Sequence, residues 1–255
     1  MNNEIFKRYE IKYLVTKEQR KIIEDAMKEK MIPDAYGEST ICNIYYDTPD
    51  KRLIRVSLES PAYKEKLRVR SYGQVKPGEK VFVELKKKYD GVVYKRRVSM
   101  KENKARIYLK RNTKIDQPTE ENGFLERQIV KELDYVKDFY KNLEPAVYLC
   151  YDRTAYYAKD DDNFRITFDK NIRWRREDMK LTSKPYGKDI LEEGISLMEV
   201  KTASAIPIWF VDILSNENIR KTSFSKYGRA YLMMLEEDKK NNNIIRYDFA
   251  DRKVG

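Results

Sequence analysis

From Lys64 to Val98 polar and apolar positions alternate in three runs, LRVRSY, KVFVELKKK and GVVYKRRV, separated by GQVKPGE and YDG. A period of two predicts strands with two unlike faces, and the Gly, Pro and Asp residues between the runs predict turns. Residues i and i+2 share a face of an extended strand. Arg68 and Arg70 therefore project together, as do Glu84 and Lys86, and Lys95 and Arg97. The apolar side is read as Leu67 and Val69, then Phe82 beyond Val81 and Val83, then Val93. Arg96 sits on the face opposite Arg97, which leaves the Arg97 placement ambiguous.

The same pattern recurs in RYEIKYLV (Arg8, Glu10, Lys12), FRITFD (Arg165, Thr167, Asp169) and LMEVKT (Glu199, Lys201). TICNIYYDT and PAVYLCYDRTAYYAK read as further strands. Between them lie helical patterns. TKEQRKIIEDAMKEKM has Thr16 at the N-cap, Gln19 three residues on and an apolar stripe of Ile22, Ile23 and Met27. DKRLIRVSLES predicts a short helix after Asp47-Thr48-Pro49-Asp50. Residues 102–143 read as a helical insertion outside the sheet, with Leu109, Ile115 and Phe124 scattered at first and a helix from about Gly123 bearing Phe124, Ile129, Leu133, Val136 and Tyr140. IPIWFVDILS predicts a helix with a buried Trp209, and FSKYGRAYLMMLEED another, with Ser223 or Ser225 near its start and Tyr231, Leu232 and Leu235 inward. Asp160-Asp161-Asp162 reads as an ordinary turn rather than a cation site. No linker or repeat divides the chain, so residues 1–240 are expected to form one domain. Residues 241–255 are expected to form a polar tail, with Ile244, Ile245, Tyr247 and Phe249 available to pack back.

Composition narrows the chemistry. With 20 Tyr and 9 Phe among 255 residues, the chain suits an α+β protein rich in strands. Charged residues make up 37%, and 53 Lys+Arg against 42 Asp+Glu leave a formal net charge of +11, which favours a polyanionic partner. The absence of histidine excludes Ser-His-Asp and Cys-His catalysis, His-rich zinc sites and an imidazole base. Cys42 and Cys150 show no CxxC spacing and are expected to be buried free thiols. No signal peptide or transmembrane run is apparent, so the expected location is cytoplasmic.

A solvated surface sheet would alternate too, but here charge repeats on one face of strand after strand. If the sheet closes on itself, that face lines a lumen. A lumen of Arg, Lys and Glu cannot be dry, because unpaired buried charge costs several kcal/mol per ion; it should hold water and a strongly charged ligand. Arg68, Arg70, Arg153 and Arg165 offer guanidinium forks for phosphate, with Lys12, Lys86, Lys95 and Lys201 as point charges. A carboxylate there suggests Mg²⁺ or Mn²⁺, held by one or two carboxylates with phosphate oxygens and water. Glu199, in an otherwise apolar strand apart from Lys201, is the leading metal candidate. Glu10 and Glu84 follow, each with an ion pair as the competing role.

RYEIKY, YYDTPD, KLRVRSYG, VFVELKKK, VYKRRV, YDRTAY, FRITFD, LMEVK and FSKYGRAY occur, over roughly residues 4–236, in the order that resembles the VTC (vacuolar transporter chaperone) polyphosphate polymerase domain. That domain belongs to the triphosphate tunnel metalloenzymes, related to CYTH phosphatases and RNA triphosphatases. The resemblance implies an α+β fold built on a closed antiparallel eight-stranded β-barrel tunnel with helices outside. It implies transfer of the ATP γ-phosphoryl onto polyphosphate with Mn²⁺ or Mg²⁺, with ATP and polyphosphate or pyrophosphate as partners. It assigns phosphate binding to Lys12, Arg68, Arg70, Lys86, Lys95, Arg153 and Arg165, the metal to Glu199, and the tunnel mouth to Lys201, Ser225 and Lys226. A helix start at Ser225 suits an anion.

The hydrolase branch opens with ExExK, whereas here Arg8 stands first and only Glu10-x-Lys12 remains. That departure argues for a basic single-metal site. No SPX domain or membrane helix accompanies the motifs, so feeding polyphosphate through a membrane would need a separate membrane partner. Competing functions are an inorganic or nucleotide triphosphatase and a non-catalytic polyphosphate or pyrophosphate sensor. Nucleic-acid binding rests on net charge alone and is not expected, because the basic residues alternate with carboxylates instead of forming an exposed stripe.

Overall fold

The alternating runs form strands, and the helical patterns form helices. The computed structural model describes residues 9–90, 92–110 and 123–240. In chain order these hold β1 (Tyr9–Val15), α1 (Lys17–Met27), β2 (Met31–Pro33), β3 (Ser39–Asp47), α2 (Arg52–Leu58), β4 (Tyr63–Tyr72), β5 (Lys80–Tyr89) and β6 (Val92–Lys101). Then come α3 (Glu102–Tyr108), α4 (Phe124–Tyr140), β7 (Glu144–Ala158), β8 (Arg165–Arg175), β9 (Lys188–Asp189), β10 (Ser196–Thr202), α5 (Ile208–Asn216) and α6 (Lys226–Lys240). Arg8, Ile115 and the expected tail 241–255 lie outside the described residues.

The strands form one antiparallel sheet of ten in the order β1-β10-β8-β7-β3-β4-β5-β6, with β2 added to β7 and β9 to β8. This corrects the expected closed eight-stranded barrel. Among the described residues β1 and β6 are free edges that exchange no backbone hydrogen bonds, and the sheet is open and curved. Closure would require the edges to approach within about 4.8 Å. The side chains facing each other across the gap are mostly lysines, Lys12 and Lys201 on one side and Lys86 and Lys95 on the other, and like charges directly opposite disfavour pairing. The curvature still brings the two sides together, because Glu10 of β1 reaches Lys86 of β5 at 3.9 Å.

The register assigns every strand its faces. The convex face carries Leu67, Val69, Val81, Val83, Leu85 and Val98, packed under Tyr108, Ile129, Leu133 and Val136 of α3 and α4. Farther round, Tyr13, Val15, Ile166, Phe168, Met198 and Val200 pack under Ile23 and Met27 of α1 and Phe210 and Leu214 of α5. Full burial of such a side chain contributes about 1.5–3 kcal/mol, so Leu133→Ala in this layer should cost ~2–5 kcal/mol. On the concave face, Tyr45, Val147, Leu149 and Leu197 are covered by Phe224, Tyr227, Ala230 and Tyr231. One part of the concave face is therefore dry under α6, and the remainder is charged.

Several local expectations hold. Thr16 and Gln19 form a reciprocal capping box on α1, both cysteines are free and buried, and the Asp160–Asp162 segment is a turn closed by Asp161. Others need correcting. Phe82 and Val93 share the charged face, because Phe82 pairs with Arg70 and Lys88 pairs with Val93. Trp209 is only partly buried while its neighbour Phe210 is fully so, and Ile22, Phe124 and Leu232 are exposed.

Candidate functional site

Three groups of charge meet on the concave face. The first is a knot around Glu84. Arg68 Nε donates to Glu84 Oε2 and Arg97 Nε to Oε1, both at 2.7 Å. Arg70 stands 3.7 Å from the same carboxylate and is fixed by donating to Asn43 Oδ1 at 2.9 Å and the Tyr151 hydroxyl at 3.3 Å. Burial alone would raise the Glu84 pKa, but Arg68, Arg70 and Arg97 bring it down to about 2. Both Glu84 oxygens are held in ion pairs by guanidinium groups. The register also resolves the Arg96–Arg97 ambiguity: Arg97 faces the site, while Arg96 turns outward to Glu132 at 2.9 Å.

The second group surrounds Glu199 and Asp169, on β10 and β8. Arg153 grips Asp169 with two hydrogen bonds, at 2.6 and 2.7 Å, and reaches Glu199 Oε2 at 3.2 Å. Lys226 Nζ lies 2.5 Å from Asp169 and 3.1 Å from Glu199 Oε1. Lys12 stands 3.7 Å from Glu199 and 3.6 Å from Glu10, and donates to the Phe224 carbonyl at 2.7 Å. Burial works against the Glu199 charge, yet Lys226, Arg153 and Lys12 hold its carboxyl well below the usual range. Burial likewise opposes charge on Lys226, but Asp169 and Glu199 keep its ammonium raised.

The third group is made of lysines. Lys66, Lys86 and Lys95 form one cross-strand rung, and Lys64 and Lys88 the next. Among the described residues, Lys64, Lys66, Lys88, Lys95 and Lys201 have no carboxylate at ion-pair distance. Lys66 Nζ instead donates to Ser225 Oγ at 2.9 Å. Burial, only partly offset by Tyr45, brings the Lys66 ammonium down to about 8. Lys201 also falls to about 8, through burial that Glu199 and Glu10 do not fully offset.

The start of α6 ties the groups together. Ser225 Oγ accepts the Gly228 N–H at 3.1 Å, as a helix cap does. Lys226 then points to the carboxylates while Ser225 faces Lys66. Gly228 packs closely, since a Cβ there would stand 3.0 Å from Leu58 Cδ2 on α2, which would have to give way. Asp47 anchors both helices by accepting from the Leu53 and Ile54 N–H groups of α2 and from the Tyr227 hydroxyl of α6.

Of the residues expected at the site, Lys12, Arg68, Arg70, Lys86, Lys95, Arg153, Glu199, Lys201, Ser225 and Lys226 share this face. Arg165 also shares it, but at one end, where it stacks on Tyr157 at 4.6 Å and pairs with Asp34 at 3.8 Å. The structure adds Lys66, Asp169 and Tyr45 to this face. Lys66 carries the same signal as Arg68, two residues away, and Arg70, four away, in the same strand. Tyr45 lies under Arg68, whose Nη1 donates to its hydroxyl at 2.9 Å. Burial opposes ionisation of that hydroxyl, but Arg68, Lys66 and Arg70 bring it down to about 8.

Such a surface can bind a chain of anionic groups. Clustered guanidinium forks and partly uncompensated ammonium groups converge on a pair of carboxylates. The donors are all hard oxygens, and no group of three or more His, Cys, Asp or Glu residues occurs among the described residues. Glu199 and Glu10, which share Lys12, are the carboxylates that could hold Mg²⁺, an ion that takes one or two carboxylates with phosphate oxygens and water. No described helix is long and apolar enough to cross a membrane.

The VTC domain family profile matches residues 7–235. No curated protein matches the chain. Among solved structures, a proposed adenylate cyclase from Bacillus halodurans superposes with a TM-score of 0.51 at 14% identity, covering 86% of this chain and 95% of the other. At that identity the likeness speaks to the fold. A proposed adenylyl cyclase from Hippeastrum, described as having a dominant triphosphatase activity, aligns at 15% identity over 87% of this chain and 94% of its own, with a TM-score of 0.43.

Proposed function

The chain belongs to the VTC domain family, and from that premise we propose that it transfers the γ-phosphoryl group of ATP onto a polyphosphate chain. The observation that carries this reading is the charge left uncompensated on the concave face. Burial, with neighbouring cations adding to it and with Glu199 and Glu10 offsetting it only in part at Lys201, brings the Lys66 and Lys201 ammonium groups down to about 8. A polyanion supplies the missing negative charge and relieves the repulsion. A neutral or singly charged substrate would not.

In this reading Arg68, Arg70 and Arg153 orient the phosphate chain and neutralise charge on the transferred group. Their positions are set beforehand by Glu84, Asn43 and Asp169, so little reorganisation is needed when the substrate arrives. Lys12, Lys66, Lys86, Lys95 and Lys201 line the chain, and Ser225 and Lys226 present the start of α6 to it. Glu199 and Glu10 would hold Mn²⁺ or Mg²⁺, which when bound adds positive charge beside the phosphoryl oxygens. An ionised terminal oxygen of the polyphosphate attacks the γ-phosphorus, the bond to the β-phosphate oxygen breaks, and ADP leaves with that electron pair. The nucleophile is already deprotonated, so no general base is required. This agrees with a chain that contains no histidine.

The test is incubation with ATP and Mn²⁺ followed by sizing of the products. Long polyphosphate together with ADP is expected. Glu199→Gln and Arg68→Ala should each abolish polymer while circular dichroism stays native. Orthophosphate without polymer would replace this reading with a triphosphatase, and binding without turnover would replace it with a sensor.

A further inference from the structure

The two ends of the concave face differ in chemistry. One is covered by α2 and α6 and lined by lysines. At the other, β4 ends at Tyr72, β5 begins near Phe82 and β6 carries Arg97, forming a ledge of stacked π surfaces. The Tyr72 and Phe82 rings meet edge to face at 5.8 Å. The Arg97 guanidinium lies 4.2 Å from the centre of the Phe82 ring, and its Nη2 donates to the Tyr72 hydroxyl at 3.1 Å. Tyr157 and Arg165, where β7 ends and β8 begins, are stacked in the same way. Arg165 Nε is buried and has no hydrogen-bond partner. The Tyr157 hydroxyl is raised chiefly by burial, with Arg165, Asp34 and also Tyr72 acting on it, which places Tyr72 within electrostatic reach.

Among the described residues these side chains pack mainly on one another. Tyr72 is 54% exposed, although it lies one rung from Arg70 on the charged face. The ledge is also joined rigidly to the phosphate-binding residues, because one carboxylate, Glu84, takes Arg97 on one oxygen and Arg68 on the other. A ligand resting on the ledge is therefore held in register with phosphates on Arg68 and Arg70.

We infer that this ledge seats the base of a nucleoside triphosphate, stacked on Tyr72 beside the Arg97 guanidinium, with its phosphates running inward along the concave face. The inference rests on the phosphotransferase reading above and adds the place where the nucleoside is recognised. Flat aromatic and guanidinium faces stack on any base and offer little hydrogen-bond readout. The site should therefore accept purine triphosphates alike while favouring them over a bare phosphate chain of the same length.

The experiment measures affinity for ATP and for tripolyphosphate by titration calorimetry, each with Mg²⁺, in the wild-type chain, Tyr72→Ala and Tyr72→Phe. Because the Tyr72 ring is largely exposed, its removal leaves the core intact. Tyr72→Ala should weaken ATP about five- to a hundredfold, the range of one base–aromatic stack, with tripolyphosphate unchanged and Tyr72→Phe restoring ATP affinity. Equal weakening of both ligands, or no weakening of ATP, overturns the ledge while leaving the phosphotransferase reading standing. A wild-type chain that binds neither ligand overturns both.

Discussion

The Glu84 knot and the Lys66 rung lie on neighbouring rungs of the same three strands, yet they handle positive charge in opposite ways. Around Glu84, three arginines converge on a single carboxylate, and its depressed pKa shows that the cations stabilise it. Around Lys66 no carboxylate answers, and the cation itself is destabilised. Charge neutralised within the protein acts as scaffold, fixing side chains before a substrate arrives. Charge left over marks where the substrate must supply the balance. By this criterion Asp169 belongs to the scaffold, setting Arg153 and Lys226 in place, and Lys66 and Lys201 to the binding surface.

The largest effect should come from breaking the scaffold at its most buried point. Asp169 has no exposed surface and holds both Arg153 and Lys226. Asp169→Ala should cost ~3–5 kcal/mol, the usual result of leaving buried charge unpaired, read as a lower urea midpoint. Glu84→Gln should cost less at neutral pH, and should also change the acid limb of stability. The folded pKa of Glu84 lies below its ordinary 4.5, so its contribution is full above that value and is lost as pH falls toward about 2. In the Gln variant that part of the acid limb should be missing from urea titrations between those pH values.

Lys66→Met should show the opposite sign. Replacing a destabilised buried cation with an apolar side chain of similar length is expected to raise stability by ~1 kcal/mol while weakening tripolyphosphate about tenfold. The sign in the wild-type chain follows from the depressed pKa. Lys66 loses its proton as pH rises through about 8, so stability should increase there while phosphate affinity declines. An unchanged affinity in Lys66→Met would dissolve the distinction between scaffold and binding surface. The smallest effect is expected from Glu10→Gln, because its pairs with Lys12 and Lys86 are long and partly exposed. It should cost under ~1 kcal/mol, and added salt should erase the difference.

Much of this site could be read from strand parity alone. The i, i+2 rule places Arg68 with Arg70, Glu84 with Lys86 and Glu199 with Lys201, and their side chains do share one face. It applies equally to Lys66, and to Phe82 beside Glu84. Parity cannot settle what depends on strands distant in sequence. Whether Arg96 or Arg97 turns inward was decided by register against β5. That Lys226 would meet Asp169 depends on how α6 packs over β3 and β7, through Tyr227 stacked on Tyr45 at 4.8 Å. The exposure of Leu232 has the same origin, since α6 turns Tyr231 and Met234 inward instead. Closure of the sheet was the least legible feature, because it turns on two edge strands at opposite ends of the pairing order.

The unpaired seam between β1 and β6 carries a consequence for long substrates. A polymer inside a sealed ring can enter or leave only by its tip, and each product would have to be pulled through. Here the two sides are bridged by a side-chain clasp, Glu10 to Lys86, with no backbone ladder behind it. A chain could be laid in sideways and lifted out along its length, so polyphosphate capped with bulky groups at both termini should bind as well as the uncapped form.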